Sequence, residues 1–127
     1  MLNTVLECTD AHAKNYSLVL IGDRVALAPL YDLATYAPYK SGQPTYAAMK
    51  MGGEYAFARI GVSQCLAAAR TLGLDSDWAH DVLTGIRTGA VGAFERARDE
   101  LGATDSETTA MAGTIVDAVS RLPLISS

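Results

Sequence analysis

The stretch YSLVLIGDRVALAP, residues 16–29, constrains the fold of this chain more than any other segment. An apolar, β-rich run is followed by the pair Gly22–Asp23 and then by a second apolar run, a pattern typical of two strands joined by a tight turn. Pro29 ends the second strand, because proline cannot donate a hydrogen bond to a strand ladder. The stretch therefore predicts a two-stranded β-hairpin.

The register of this hairpin brings distant polar residues together. With a two-residue turn, Ile21 pairs with Arg24, and continuing the same pairing sets Asn15 opposite Leu30. Asp32 lies two residues beyond Leu30. The hairpin therefore returns Asp32 to the end of the sheet at which Asn15 enters it, and we expect these two side chains to lie close together.

The segment TDAHAKN, residues 9–15, places Asp10 and Asn15 with four residues between them just before the hairpin. Carboxylate and amide oxygens suit a hard cation such as Mg²⁺, which completes its shell with water and phosphate oxygens. A second carboxylate that is free of the metal can accept a proton from a hydroxyl, as phosphoryl transfer requires. The kinase catalytic loop has this order: catalytic Asp, four residues, metal-binding Asn, then a metal-binding Asp after a hairpin. Asp10 is thus the candidate proton acceptor, and Asn15 and Asp32 are the candidate magnesium ligands.

Lys14 and His12 have candidate functional roles, and Asp10 and Asp32 also have purely structural alternatives. Lys14 can neutralise phosphate charge, and His12 can donate to a phosphate oxygen or hold the loop backbone. Asp10 alone can cap a turn. Asp32, placed before Leu33, can cap a helix.

The rest of the chain predicts helices. Apolar periodicity favours three of them, over residues 62–72, 77–101 and 104–122. Ser63 is the expected N-cap of the first helix, and Thr104 with Glu107 forms a capping box for the third, which Pro123 ends. A short strand is expected before Gly52–Gly53. One hairpin with three helices gives an α+β domain that is mostly helical.

Composition excludes several classes of function. The net charge is −4 and no basic stripe runs along the chain, which argues against direct nucleic-acid binding. No apolar run reaches the ~18 residues of a membrane span. The N-terminus lacks a basic signal region, and Cys8 and Cys65 have no metal or redox spacing. A single cytoplasmic domain with two reduced thiols is the resulting expectation.

Three motifs, TDAHAKNYSLVL, LAPLYDL and AAMKMGGE, together resemble the C-terminal lobe of the HipA-like serine/threonine kinases, the toxin kinases of bacterial toxin–antitoxin pairs. The motifs cover about residues 3–54, and residues 60–122 fit the helical remainder of that lobe more loosely. The resemblance implies that Asp10 accepts the proton. It implies nucleotide and magnesium contacts at five further positions: His12, Lys14, Asn15, Tyr31 and Asp32.

The resemblance also implies cofactors and partners. ATP and Mg²⁺ are the expected co-substrate and metal, a glutamyl-tRNA synthetase is the expected protein substrate, and a small DNA-binding antitoxin is the expected partner. Family members often carry Gly-Asn before the Thr-Asp, where this chain has Glu7–Cys8. A glycine at the position of Glu7 allows a positive φ.

A glycine-rich phosphate loop and a strand Lys with a helix Glu partner are both missing from the sequence. Residues 1–127 are therefore expected to form the kinase C-lobe without its N-lobe, and to be inactive alone. One alternative is a non-catalytic module that pairs with an antitoxin or a separate N-lobe subunit. Another is a small-molecule kinase lobe of the aminoglycoside or choline type, which usually has a His at the position of Cys8.

Overall fold

The computed structural model describes residues 1–101 and 105–127. Two antiparallel hairpins lie beside a larger set of helices, and the fold class is α+β, as the sequence predicts. The strands are β1 Leu18–Ile21, β2 Arg24–Leu27, β3 Tyr46–Met51 and β4 Glu54–Ala56. The helices are α1 Leu2–Val5, α2 Val62–Thr71, α3 Ser76–Leu101, α4 Ser106–Ser120 and α5 Pro123–Ser126. Single 3₁₀ turns span Ala13–Asn15, Ala37–Tyr39 and Phe57–Arg59.

The first hairpin, β1–β2, forms in the predicted register. Ile21 pairs with Arg24, and the ladder continues to Leu18 opposite Leu27. The backbone N–H of Ala28 donates to the carbonyl of Ser17 at 2.8 Å, which extends the pairing toward the base of the hairpin. All four residues of each strand are exposed. The sequence pattern thus predicted the pairing correctly.

A second hairpin, β3–β4, turns at Gly52–Gly53. Met51 pairs with Glu54 and Tyr46 with Ala56, with an irregularity between them. The predicted strand before the glycines is therefore present. Its partner β4 was not predicted, because three residues give too short a pattern to separate a strand from a loop.

The core consists of two apolar clusters that meet at helix α1. Val5 belongs to the first cluster, Leu6 just after the helix belongs to the second, and Leu2 packs against the second, so this short helix contributes to both. Helix α3 also joins them, through Leu83 in the first and Ala90 in the second. Because α1 leads directly into the TDAHAKN segment, the core holds the start of the candidate catalytic loop.

The first predicted helix begins at the predicted residue but has a different N-cap. Helix α2 starts at Val62, and its N-cap is Gly61 rather than Ser63. The side-chain oxygen of Gln64 accepts from the Gly61 N–H at 3.0 Å, which satisfies one of the donors that a helix start leaves free. The Ser63 prediction was therefore wrong: this backbone donor is satisfied by a glutamine inside the first turn.

The last predicted helix has a different cap and a different end. Thr104 lies outside the described residues, and the N-cap of α4 is Asp105, which accepts from the Thr108 N–H at 2.7 Å. The helix ends at Ser120, and Pro123 opens the one-turn helix α5. Proline suits this position because its fixed φ matches the first turn of a helix. Among the described residues, no helix is long and apolar enough to cross a membrane.

Candidate active site

Asn15 and Asp32, which lie 17 positions apart, meet at the base of the first hairpin. The Asn15 Nδ2 donates to Asp32 Oδ2 at 3.0 Å, and Asn15 is 7% exposed. Asp32 has a φ of 56°, a left-handed conformation that aspartate tolerates better than most residues. Residues 33–36 are not helical, so the alternative role of Asp32 as a helix cap was wrong. The predicted proximity of the two side chains is present.

The Tyr31 hydroxyl forms hydrogen bonds at the same corner. Its hydroxyl donates to the carbonyl of Lys14 at 2.9 Å, and the hydroxyl of Ser17 lies 2.9 Å away. The hydroxyl of Tyr31 is therefore used within the chain, where it holds the residue before Asp32 against the loop. Its role as a nucleotide contact stays a prediction, and the partly exposed ring is the part of the side chain that is free for it.

Asp10 projects into solvent beside His12. The Asp10 side chain is 87% exposed, and its Oδ1 lies 3.6 Å from His12 Nε2. The backbone N–H of His12 also donates to the Asp10 carbonyl at 2.9 Å. The other ring nitrogen, His12 Nδ1, is buried and has no hydrogen-bond partner among the described residues. The Asp10 carboxylate is thus accessible from solvent, and the His12 ring lies beside it. Lys14 is exposed in the following turn.

The donor atoms at the corner fit a magnesium ion. Asn15 and Asp32 each carry an oxygen of the kind that Mg²⁺ binds, and the Asn15 amide nitrogen is the atom that faces the Asp32 carboxylate. Mg²⁺ commonly takes one or two carboxylates and completes its shell with waters and phosphate oxygens. Within residues 1–101 and 105–127, no group of three or more His, Cys, Asp or Glu side chains is arranged to hold a metal. The corner therefore offers an ion one carboxylate and one side-chain amide, and leaves the remaining positions of its shell to other oxygens.

Sequence reasoning missed an ion pair that has a buried carboxylate and lies next to this site. Glu7 is 3% exposed, and its Oε2 lies 2.7 Å from Lys40 Nζ. The hydroxyl of Thr45 donates to the same oxygen at 3.4 Å. Glu7 has a φ of 49°, the conformation that a glycine at this position would adopt freely. The departure from glycine was visible in the sequence, but nothing in it pointed to Lys40.

The two cysteines are buried, as expected for reduced structural thiols. Burial raises the pKa of Cys8 to about 11, although a backbone hydrogen bond from Ala34 opposes the shift. Burial likewise raises the pKa of Cys65. Neither thiol therefore has the lowered pKa that is typical of a nucleophilic cysteine.

A family model described as HipA-like C-terminal domain matches residues 1–121 of this chain. The match covers nearly the whole chain, and the protein belongs to the HipA-like C-terminal domain family. A comparison with curated proteins found no match.

Solved structures support the same fold. HipA of Shewanella oneidensis MR-1, in a complex of HipA, HipB and operator DNA from a toxin–antitoxin system, matches with a TM-score of 0.74. The two chains are 23% identical, and the match covers 94% of this chain. It covers 29% of the HipA chain, so this chain spans less than a third of the length of that protein.

Proposed function

We propose that this domain is the catalytic lobe of a HipA-like serine/threonine protein kinase that transfers the γ-phosphate of ATP with Mg²⁺. The observation that carries the proposal is the corner where Asn15 donates to Asp32 at 3.0 Å while Asp10 stays exposed in the preceding loop. Phosphoryl transfer needs side chains that can bind a metal ion and a free carboxylate that can accept a proton, and one loop and hairpin supply both here.

Each residue has a distinct role in this proposal. Asp10 accepts the proton of the protein hydroxyl as that oxygen attacks, and His12 keeps the carboxylate oriented. Asn15 and Asp32 hold the magnesium, which neutralises the charge of the nucleotide phosphates when bound. Lys14 adds positive charge near the same phosphates, and Tyr31 keeps Lys14 and Asp32 in place through its hydroxyl.

A further part of the proposal is that an N-lobe completes the site. The chain corresponds to 29% of the HipA chain, and the strands beside the site are exposed on both faces. The adenine and the β-phosphate then depend on groups outside this domain. Magnesium alone should bind weakly here, no tighter than about millimolar, because two protein oxygens leave most of its shell to water.

Partners and localisation are proposed by analogy. The Shewanella HipA structure contains HipB, which supports an antitoxin partner for this chain. That complex also contains operator DNA, while the net charge of −4 argues against a direct DNA contact by this domain. An aminoacyl-tRNA synthetase remains the proposed protein substrate, in the cytoplasm.

The test uses Asp10→Asn in a protein completed by its N-lobe. Phosphoryl transfer should fall by roughly 10²–10⁴-fold, the range for removal of a positioned base, while nucleotide affinity stays nearly unchanged. Asn15→Ala and Asp32→Ala should instead weaken magnesium–nucleotide binding, measured by calorimetry. Asp23→Asn, the same change in the turn of the first hairpin, is the matched control and should have no effect. An unchanged rate of phosphoryl transfer in Asp10→Asn would contradict the kinase proposal.

The exposed first hairpin favours a second candidate, a non-catalytic module that docks on an antitoxin or on a separate N-lobe subunit. In that case, a completed protein binds its partner but shows no transfer at any magnesium concentration. Substitution of Asp10 or Asp32 should then leave partner affinity unchanged, whereas Leu20→Asp on the exposed hairpin should reduce it.

A further inference from the structure

We propose that Glu7 is a positioning residue that clamps the segment after Asp32, residues 33–45, to the loop that carries Asp10. The catalytic effect of this clamp rests on the proposed kinase function. The existence of the clamp does not. The sequence motifs give no role to either Glu7 or its partner Lys40.

Two unfavourable features coincide at Glu7. Its carboxylate is removed from water, with the residue 3% exposed, and a buried carboxylate is costly unless it is paired and hydrogen-bonded. Its φ of 49° is left-handed, which is unfavourable for a residue with a side chain. Glycine would remove both costs at this position. The contacts of the Glu7 side chain are what offset these costs in the folded chain.

The side chain of Glu7 holds the distant segment at two points. Its Oε2 lies 2.7 Å from Lys40 Nζ, and the Lys40 side chain is 37% exposed. The same oxygen accepts from the hydroxyl of Thr45 at 3.4 Å. Lys40 follows the 3₁₀ turn Ala37–Tyr39, and Thr45 immediately precedes β3. The carboxylate thus bridges the middle and the end of the segment.

The main chain beside Glu7 holds the start of the segment. The carbonyl of Leu6 accepts from the hydroxyl of Thr35 at 2.6 Å, and that of Glu7 accepts from the Tyr36 N–H at 3.2 Å. The same Thr35 hydroxyl accepts from the Ala37 N–H at 3.1 Å. Together with the side-chain contacts, these bonds join residues 6–7 to the segment from position 35 to position 45.

The consequence concerns the geometry of the reaction. Asp10 lies three residues after Glu7, and Asp32 lies three residues before Thr35. The Asn15–Asp32 hydrogen bond fixes Asp32 from one side, and the Glu7 contacts fix the chain on its other side. The clamp therefore sets the position of the proton acceptor relative to the metal ligands without touching either substrate.

The existence of the clamp is tested by hydrogen exchange on the 127-residue chain. Glu7→Gln and Lys40→Met should each speed amide exchange over residues 35–45 by about tenfold or more, because local opening no longer breaks an ion pair. Glu7→Gly should speed exchange there equally while melting no lower than Glu7→Gln, since it also relieves the left-handed backbone. The matched control is Glu54→Gln, which breaks the exposed pair with Arg59 and should leave residues 35–45 unchanged.

Unchanged exchange over residues 35–45 in Glu7→Gln and Lys40→Met would overturn the clamp. Its catalytic role is tested separately in the protein completed by its N-lobe. There kcat should fall about tenfold in Glu7→Gln while KM for ATP stays within about twofold, because the Asn15–Asp32 contact is retained. Lys40→Arg, which keeps the charge, should retain the wild-type kcat, whereas Lys40→Met should lower it. Faster exchange with an unchanged kcat would overturn the positioning role. An inactive wild-type protein would overturn the kinase proposal, and the exchange result would still decide on the clamp.

Discussion

The two hairpins of this domain have similar turns and opposite surroundings. Each turn contains a left-handed glycine, with a φ of 58° at Gly22 and 57° at Gly52. The first hairpin, β1–β2, is exposed along the whole of both strands. The second, β3–β4, lies against helix α2, and its Ala47 and Met51 pack on the core. The candidate active site belongs to the hairpin that the domain does not cover.

The contrast shows where the order of the site comes from. A two-stranded hairpin alone is marginally stable in water, so β1–β2 gains little from its own strands. It is held instead at its base, by the hydrogen bonds of Asn15 with Asp32 and of Tyr31 with Lys14. The residues that hold the hairpin are thus the residues proposed to bind magnesium and nucleotide. Its exposed apolar strands fit the proposal that the rest of a kinase covers them.

The largest expected difference between the two hairpins is in stability, and it is tested by truncating one apolar side chain in or next to each hairpin. Phe57, directly after β4, is 4% exposed in the core, whereas Leu20 in β1 is 73% exposed. Phe57→Ala should lower the free energy of unfolding by about 3–5 kcal/mol, through lost burial and a cavity. Leu20→Ala should change it by no more than about 0.5 kcal/mol. Urea denaturation measures both. A large loss from Leu20→Ala that depends on protein concentration would mean that the first hairpin is covered by another copy.

The sequence predicted the parts of the site that depend on local pattern. The register of β1–β2 followed from alternation and the Gly22–Asp23 turn, and that register alone brought Asn15 to Asp32. The long helices followed from apolar periodicity, which their buried residues confirm.

What the sequence did not predict depends on tertiary contacts. Glu7 and Lys40 meet across more than thirty positions, and an ion pair leaves no periodicity that a single sequence can show. The exposure of β1–β2 was equally hidden, because apolar strands look alike whether their cover is present or not. The left-handed φ of Asp32 was missed for a similar reason, since its conformation accompanies a contact with Asn15 rather than a turn signature.

A second prediction asks whether the exposure of the first hairpin extends to Cys8, just before the loop that carries Asp10. Cys8 lies two residues before Asp10 and is 3% exposed, and burial raises the pKa of its thiol to about 11 from 9.0. At pH 8 its thiolate fraction should be about 100-fold below that of an ordinary thiol, and alkylation should slow at least in proportion. Peptide mass spectrometry separates Cys8 from Cys65, and denaturation in urea should restore the ordinary rate. Rapid alkylation of the native chain at Cys8 would show that the loop opens together with the hairpin.

The third prediction compares the two turns directly. Gly22→Ala and Gly52→Ala introduce the same methyl group at nearly the same left-handed φ, so they share the backbone cost of about 1–2 kcal/mol. At Gly22 nothing lies within 4 Å of the new methyl, whereas at Gly52 it collides with the backbone of Gln64 in helix α2. Backbone cannot move aside as a side chain can, so Gly52→Ala should cost a further ~1–3 kcal/mol. Urea denaturation of the two variants measures the difference. Equal losses would mean that β3–β4 moves away from α2 without cost, and the contrast between the hairpins would then be one of position and not of packing.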